Sequence, residues 1–172
     1  MQAVLNEITD PQEELSILET ILMGDTQVVV DIYSRYLFEQ EVFERRGKAE
    51  LAAAELCEIM ERAQKATYGD GLDNRYLHKY MWTWKPHYYM TDLSFYNFPY
   101  TFGLLFGTGL YAIYQERGDS FIPEYQQLLA STGEGQAADL AGRFGIDIRG
   151  NKFWEESLAV IARRIDRYCE IS

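Results

Sequence analysis

Histidine is the scarcest chemically useful residue here: the 172 residues carry two, His78 and His87. Their separation cannot present two imidazoles one helical turn apart, as an HExxH zinc helix does. Cysteine is as sparse. Cys57 and Cys169 have no zinc-finger spacing. They build no disulfide framework, fit a reducing compartment, and read as small core residues within helical patterns. Basic charge is in deficit, with 16 Lys and Arg against 27 Asp and Glu and a formal net charge of −11. Such a chain repels phosphate backbones, so no nucleic-acid partner is expected. Long hydrophobic runs are missing too, because Arg, Glu and Asp interrupt each one, and no membrane association is expected. The start, MQAVLNEITDPQEE, is acidic and lacks the basic-then-apolar order of a signal peptide. There is no Walker loop and no GxSxG. GTGLYA offers a GxG without a third glycine or a preceding strand. Alternating runs and hairpin signals are absent as well. These absences leave an all-α, multi-helix, cytoplasmic chain, read as one helical domain over 1–172.

What is present is apolar and aromatic. Hydrophobic residues make up 47% and aromatics 15%, with 13 Tyr and 3 Trp, enough to fill a core and to line a cleft. Asp10-Pro11-Gln12-Glu13 has the form of a helix start, with Asp10 as cap and Glu13 closing a capping box. Leu15, Leu18 and Leu22 follow at helical spacing. Gly24-Asp25 breaks or bends the pattern, which resumes through Val28, Val29, Ile32, Tyr36 and Phe43 to Gly47. A second helix carries Leu56, Ile59, Met60, Ala63 and Thr67 and stops at Gly69. From Thr101 to Gly118 a nearly uncharged helix should be buried, with Gly103 and Gly107 on one face for close helix packing. A helix through FIPEYQQLLAST, a short one in AADLAGRFG and a long last one complete the pattern. The last should bury Trp154, Leu158, Ile161, Ile165 and Tyr168.

The segment from Tyr76 to Tyr100 has no clean period, and it holds most of the hydrogen-bond donors that chemistry could use: His87, Tyr88, Tyr89, Tyr96 and Tyr100. Tyr96 and Tyr100 would share a face if both were helical. A histidine flanked by tyrosines can bind a carbonyl oxygen or a developing oxyanion. The competing account is an aromatic core with satisfied polar tips.

Lys85-Pro86-His87-Tyr88-Tyr89, then Ser94-Phe95-Tyr96-Asn97-Phe98-Pro99-Tyr100-Thr101-Phe102-Gly103, resembles the region after the zinc motif in M3-type zinc metallopeptidases, in particular the oligoendopeptidase F branch. The resemblance extends to Asp25–Arg46, to Tyr68-Gly69-Asp70, to Gly118-Asp119-Ser120-Phe121 with Tyr125 and Leu128-Leu129, and to Phe144-Gly145-Ile146-Asp147 with Phe153-Trp154. In that family two histidines and a glutamate bind zinc, and the glutamate within HExxH activates a water. Those residues lie upstream of the matched region. Glu7 follows Asn6 as a glutamate does in the family's FNE stretch, but its neighbours do not match the ligand helix. The resemblance therefore carries over no metal ligand. It implies the C-terminal helical part of a longer peptidase, with zinc in the full-length parent and none in this fragment.

The resemblance further implies that His87, Tyr96 and Tyr100 are catalytic, donating to the substrate carbonyl oxygen, and that Tyr88 and Tyr89 bind substrate. Pro99 departs from branches that have a backbone N–H there, which leaves the register of Tyr96 against Tyr100 open. The substrate class is short peptides. Alone, the fragment should be inert or at most bind peptides weakly, and exposure of surface that faces the remainder of the parent would favour a homodimer. The alternative is a stand-alone helical interaction module that docks a partner on its aromatic face.

Overall fold

The computed structural model describes residues 8–93 and 96–172; Asn6, Glu7, Ser94 and Phe95 lie outside them. The fold is all-α, and no strand occurs among the described residues. Helix α1 spans Pro11–Thr26 and passes directly into a π-helical turn, Gln27–Ile32, and then α2, Tyr33–Arg46. Next come α3, Ala53–Tyr68, and three 3₁₀ turns at Asn74–Tyr76, Met81–Thr83 and Pro86–Tyr88. Then follow α4, Phe98–Arg117; α5, Ile122–Ala130; α6, Ala137–Gly142; and α7, Lys152–Ile171. Among the described residues no helix is long and apolar enough to cross a membrane.

The local signals act as their chemistry requires. Asp10 Oδ1 accepts from the Gln12 N–H at 2.9 Å, capping α1. Ala52 N–H donates to Glu55 Oε2 at 3.0 Å, which satisfies a donor just ahead of α3. Gly69 and Gly118 follow α3 and α4 with φ of 55° and 63°, values that a side chain disfavours. Gly24-Asp25 does not break the helix. The π turn just beyond it holds the irregularity, and Thr101 Oγ1 donates to the Val28 carbonyl there at 3.1 Å.

The chain divides into two compact units, Met23–Phe102 and the remainder, Met1–Leu22 with Gly103–Ser172. In the second of these, Leu110, Phe121, Leu128, Leu140, Ala141, Ile146 and Phe153 form the core. Arg167 closes a fork on Glu14, with Nε and Nη2 donating at 2.8 and 2.7 Å. In the unit Met23–Phe102, Phe38, Ile59, Met60 and Ala63 form the core, joined by Leu37, Leu56, Trp82 and Tyr88. Gln64, 1% exposed, clamps the following loop from both sides. Its Nε2 donates to the His78 carbonyl at 3.0 Å, and the His78 N–H donates to its Oε1 at 2.9 Å.

Four expectations need correction. Helix α4 is not buried along its length: its fully buried residues are Thr108, Gly109 and Leu110, and Tyr100 and Tyr114 are exposed. Its close packing is not at Gly103 or Gly107, where an added Cβ would meet nothing within 4 Å. It is at Gly109, where a Cβ would stand 2.5 Å from Ser157 Oγ and 2.7 Å from Phe153 Cε2. That approach turns α7 so that Phe153, Ser157, Val160 and Ile161 are buried. Leu158 and Ile165, expected inside, are 42% and 48% exposed. Cys57 is half-buried, whereas Cys169 is exposed rather than a core residue.

Substitution of these glycines separates helix propensity from packing. Gly109→Ala is expected to destabilise by roughly 1–3 kcal/mol through overpacking. Gly103→Ala and Gly107→Ala are expected to stabilise, by up to about 1 kcal/mol, because their helical positions are open. Denaturant unfolding of the three variants checks both signs.

Candidate functional site

The site grows from one helix face. Asp31, Arg35 and Glu39 follow at helical spacing, so they share a stripe running from the π turn into α2. All three are buried, at 7%, 7% and 3% exposure. A buried charge persists only when paired or neutralised. Asp31 meets this demand with three donors: Arg35 in a buried salt bridge, Gln27 Nε2 at 2.6 Å and the Tyr68 hydroxyl at 3.0 Å. Burial, helped by the Asp31 carboxylate, pushes the Tyr68 phenol up to about 12. Burial also lowers Lys85, and the Arg35 charge adds to the effect.

Glu39 is satisfied differently. It takes one hydrogen bond, from Asn97 Nδ2 at 2.8 Å. Desolvation raises its carboxyl to about 7, against the opposing pull of the Asn97 bond and of Arg35. Tyr88 stands near enough to feel the Glu39 charge, and burial together with that charge drives its phenol far above the ordinary tyrosine range.

Asn97 lies between Tyr96, in the turn before α4, and Tyr100, in the first turn of α4. The expected shared helix face is therefore not what joins the two tyrosines. Their rings nevertheless meet edge to face at 5.6 Å. His87 completes the group, stacked on Tyr96 at 5.7 Å and 12° and edge-on to Tyr100 at 6.2 Å. His87, Tyr96 and Tyr100 thus form one corner of the unit Met23–Phe102. Tyr96 and Tyr100 are 40% and 42% exposed. Among the described residues neither hydroxyl has a hydrogen-bond partner within the chain, so both are open to solvent or ligand.

Tyr88 and Tyr89 take different positions. The Tyr88 ring packs on Phe38 at 5.1 Å, and its hydroxyl is buried without a partner. Tyr89 is 60% exposed. Both line a pocket of about 430 Å³ with Phe38, Glu39, Trp82 and His87. His87 therefore belongs to both the pocket and the ring corner. Polar atoms without partners collect around this pocket: Trp82 Nε1, His87 Nδ1, Tyr88 Oη and Glu39 Oε2. A native interior seldom leaves so many in one place unless a bound group or a proton serves them.

The corner offers one imidazole and phenols. No group of three or more His, Cys, Asp or Glu among the described residues is placed to hold a metal ion. The described residues thus do not by themselves supply a zinc site. What they can do is donate hydrogen bonds, since phenols keep their protons near pH 7. No protein-family model, curated protein or solved structure matches the chain.

Sequence reasoning reached the ring corner but missed Asp31, Arg35, Glu39 and Asn97. Charges on a helix read by default as its solvated face. The signal that marks Asp31, Arg35 and Glu39 as different is their four-residue spacing alongside the buried Ile32 and Phe38, on the apolar side of the helix.

The two layers should respond differently to substitution. Asp31→Ala strands the Arg35 charge and is expected to cost roughly 3–5 kcal/mol of stability. Tyr96→Phe and Tyr100→Phe remove hydroxyls that hold nothing within the chain and should stay within about 0.5 kcal/mol of the parent. Urea unfolding of the three variants reads both effects.

Proposed function

We propose that this chain is the substrate-binding part of a zinc oligopeptidase that hydrolyses short peptides in the cytoplasm. The metal is held by residues other than those described here. The observation that carries the reading is the convergence of His87, Tyr96 and Tyr100 into one half-exposed corner with the tyrosine hydroxyls free. These are the residues that the resemblance to M3-type peptidases singles out as donors to the peptide carbonyl.

The chemistry asked of them is modest. Attack on a peptide carbonyl builds negative charge on its oxygen, and a positioned neutral donor supports that charge without giving up its proton. The stacked rings fix the phenols, so little reorganisation is needed when the charge develops. The adjoining pocket supplies an apolar wall of Phe38, Val42 and Leu56 for a substrate side chain.

A second reading, a module that docks a protein partner, draws on the exposed aromatics of the same unit. Tyr76, Trp84 and Tyr89 are 71%, 57% and 60% exposed, and such residues favour interfaces.

The two readings part on turnover. In the zinc-bearing enzyme that contains this sequence, Tyr100→Phe or Tyr96→Phe, whichever faces the oxyanion, should lower kcat by roughly 10²–10³. KM should change little. Zinc content and melting temperature should stay at the parent values. Near-normal kcat in both variants would overturn the peptidase reading and leave the docking module.

A further inference from the structure

Glu39 and Asn97 are bonded to each other once, and each keeps one oxygen that nothing serves. Asn97 Nδ2 donates to Glu39 Oε1 at 2.8 Å, while Glu39 Oε2 and Asn97 Oδ1 are buried and without a partner. The side chains are 3% and 1% exposed, so bulk water serves neither oxygen. Two orphaned acceptors on one hydrogen-bonded pair are an unstable arrangement, and one proton resolves both. A protonated Glu39 keeps Oε1 as acceptor and turns Oε2 into a donor. The acceptor that this pair leaves open is Asn97 Oδ1.

We propose that Glu39 is held as a neutral carboxylic acid, joined to Asn97 by two reciprocal hydrogen bonds, and that this acid–amide pair positions Tyr96 and Tyr100. Asn97 directly follows Tyr96, and its carbonyl accepts from the Tyr100 N–H at 3.3 Å. Holding the Asn97 side chain on α2 therefore holds both tyrosine backbones against that helix. The pairing does not depend on what the corner binds; its effect on peptide affinity rests on the function proposed above.

The surrounding charges agree with a neutral Glu39. Arg35, on the same helix, is the cation that would favour ionisation, but its partner is Asp31. From the 86–88 turn Tyr88 brings a phenol and His87 an imidazole, and from the end of α2 Arg46 lines the same pocket. No Lys or Arg donates to Glu39 among the described hydrogen bonds. Desolvation is accordingly the largest influence on the carboxyl, raising it from 4.5 to about 7.

The sign of the pH dependence follows. The unfolded carboxyl loses its proton near 4.5 and the folded one near 7. The pair's contribution is therefore complete below about pH 4.5, declines as pH rises, and is gone above about pH 7. Glu39→Gln removes the titration and keeps the geometry, because an amide can accept from Asn97 Nδ2 and donate to Asn97 Oδ1.

The experiment is a carbon-13 NMR titration of the glutamate carboxyls in the whole wild-type chain, with Glu39 assigned by through-bond correlation, so that it does not depend on a variant folding. Melting temperatures of wild type and Glu39→Gln are followed over the same pH range. Glu39 should titrate near 7, and wild type should lose melting temperature relative to Glu39→Gln between about pH 4.5 and 7. A Glu39 carboxyl that titrates with the exposed glutamates, or two parallel melting profiles, would overturn the proposal. Affinity for a short peptide should fall roughly two- to tenfold from pH 6 to 8 in wild type and stay level in Glu39→Gln. A Glu39 that titrates as stated in a chain that binds no peptide would support the pair and sink the function proposed above.

Discussion

The unit that carries the candidate site is organised by a line of charge taken out of water. Asp31, Arg35 and Glu39 occupy positions on α2 and its π turn where apolar residues would ordinarily sit. Removing charges from water is expensive, and the cost dictates their surroundings. Asp31 draws in Gln27, Arg35 and Tyr68. Glu39 draws in Asn97, fifty-eight positions away in sequence. The aromatic segment between Tyr76 and Tyr100 is tied to α2 by the Asn97–Glu39 bond at its end and by Tyr88 on Phe38 in its middle, and to α3 by the Gln64 clamp on His78 near its start.

This arrangement explains how an aperiodic segment presents a defined set of rings. Three short 3₁₀ turns cannot fix side chains by their own hydrogen bonds. The anchors fix them instead. His87, Tyr96 and Tyr100 then pack ring against ring, with the two tyrosines half-exposed and His87 Nδ1 buried. The rings stand beside a pocket whose wall is apolar at Phe38, Val42 and Leu56 and polar at Glu39, Arg46 and His87.

Much of the fold was legible in the sequence because its signals are local. Asp10, Gly69 and Gly118 mark helix ends through side-chain capping and positive φ, and the structure places them there. The stripe of Ile59, Met60 and Ala63 is the buried face of α3. What failed was knowledge of the partner helix. Gly103 and Gly107 have the spacing of a packing motif, yet the close approach is at Gly109, because Phe153 and Ser157 stand opposite it. The same contact turned α7 and left Leu158 and Ile165 outside. Of the site, the ring residues could be named from their concentration in one aperiodic segment and from the resemblance. Their convergence could not, since Tyr96 lies before α4 rather than on it. The Glu39–Asn97 bond has no local signature whatever.

The proposal that the His87–Tyr96–Tyr100 corner receives a peptide is tested by mapping aromatic ring resonances while a short unstructured peptide is added to the chain. The rings of His87, Tyr96 and Tyr100 should shift together and saturably, with those of Phe121 and Trp154 in the other core unmoved. Saturable shifts centred on Tyr76 and Trp84, or no shift at the corner at any peptide concentration, would contradict it.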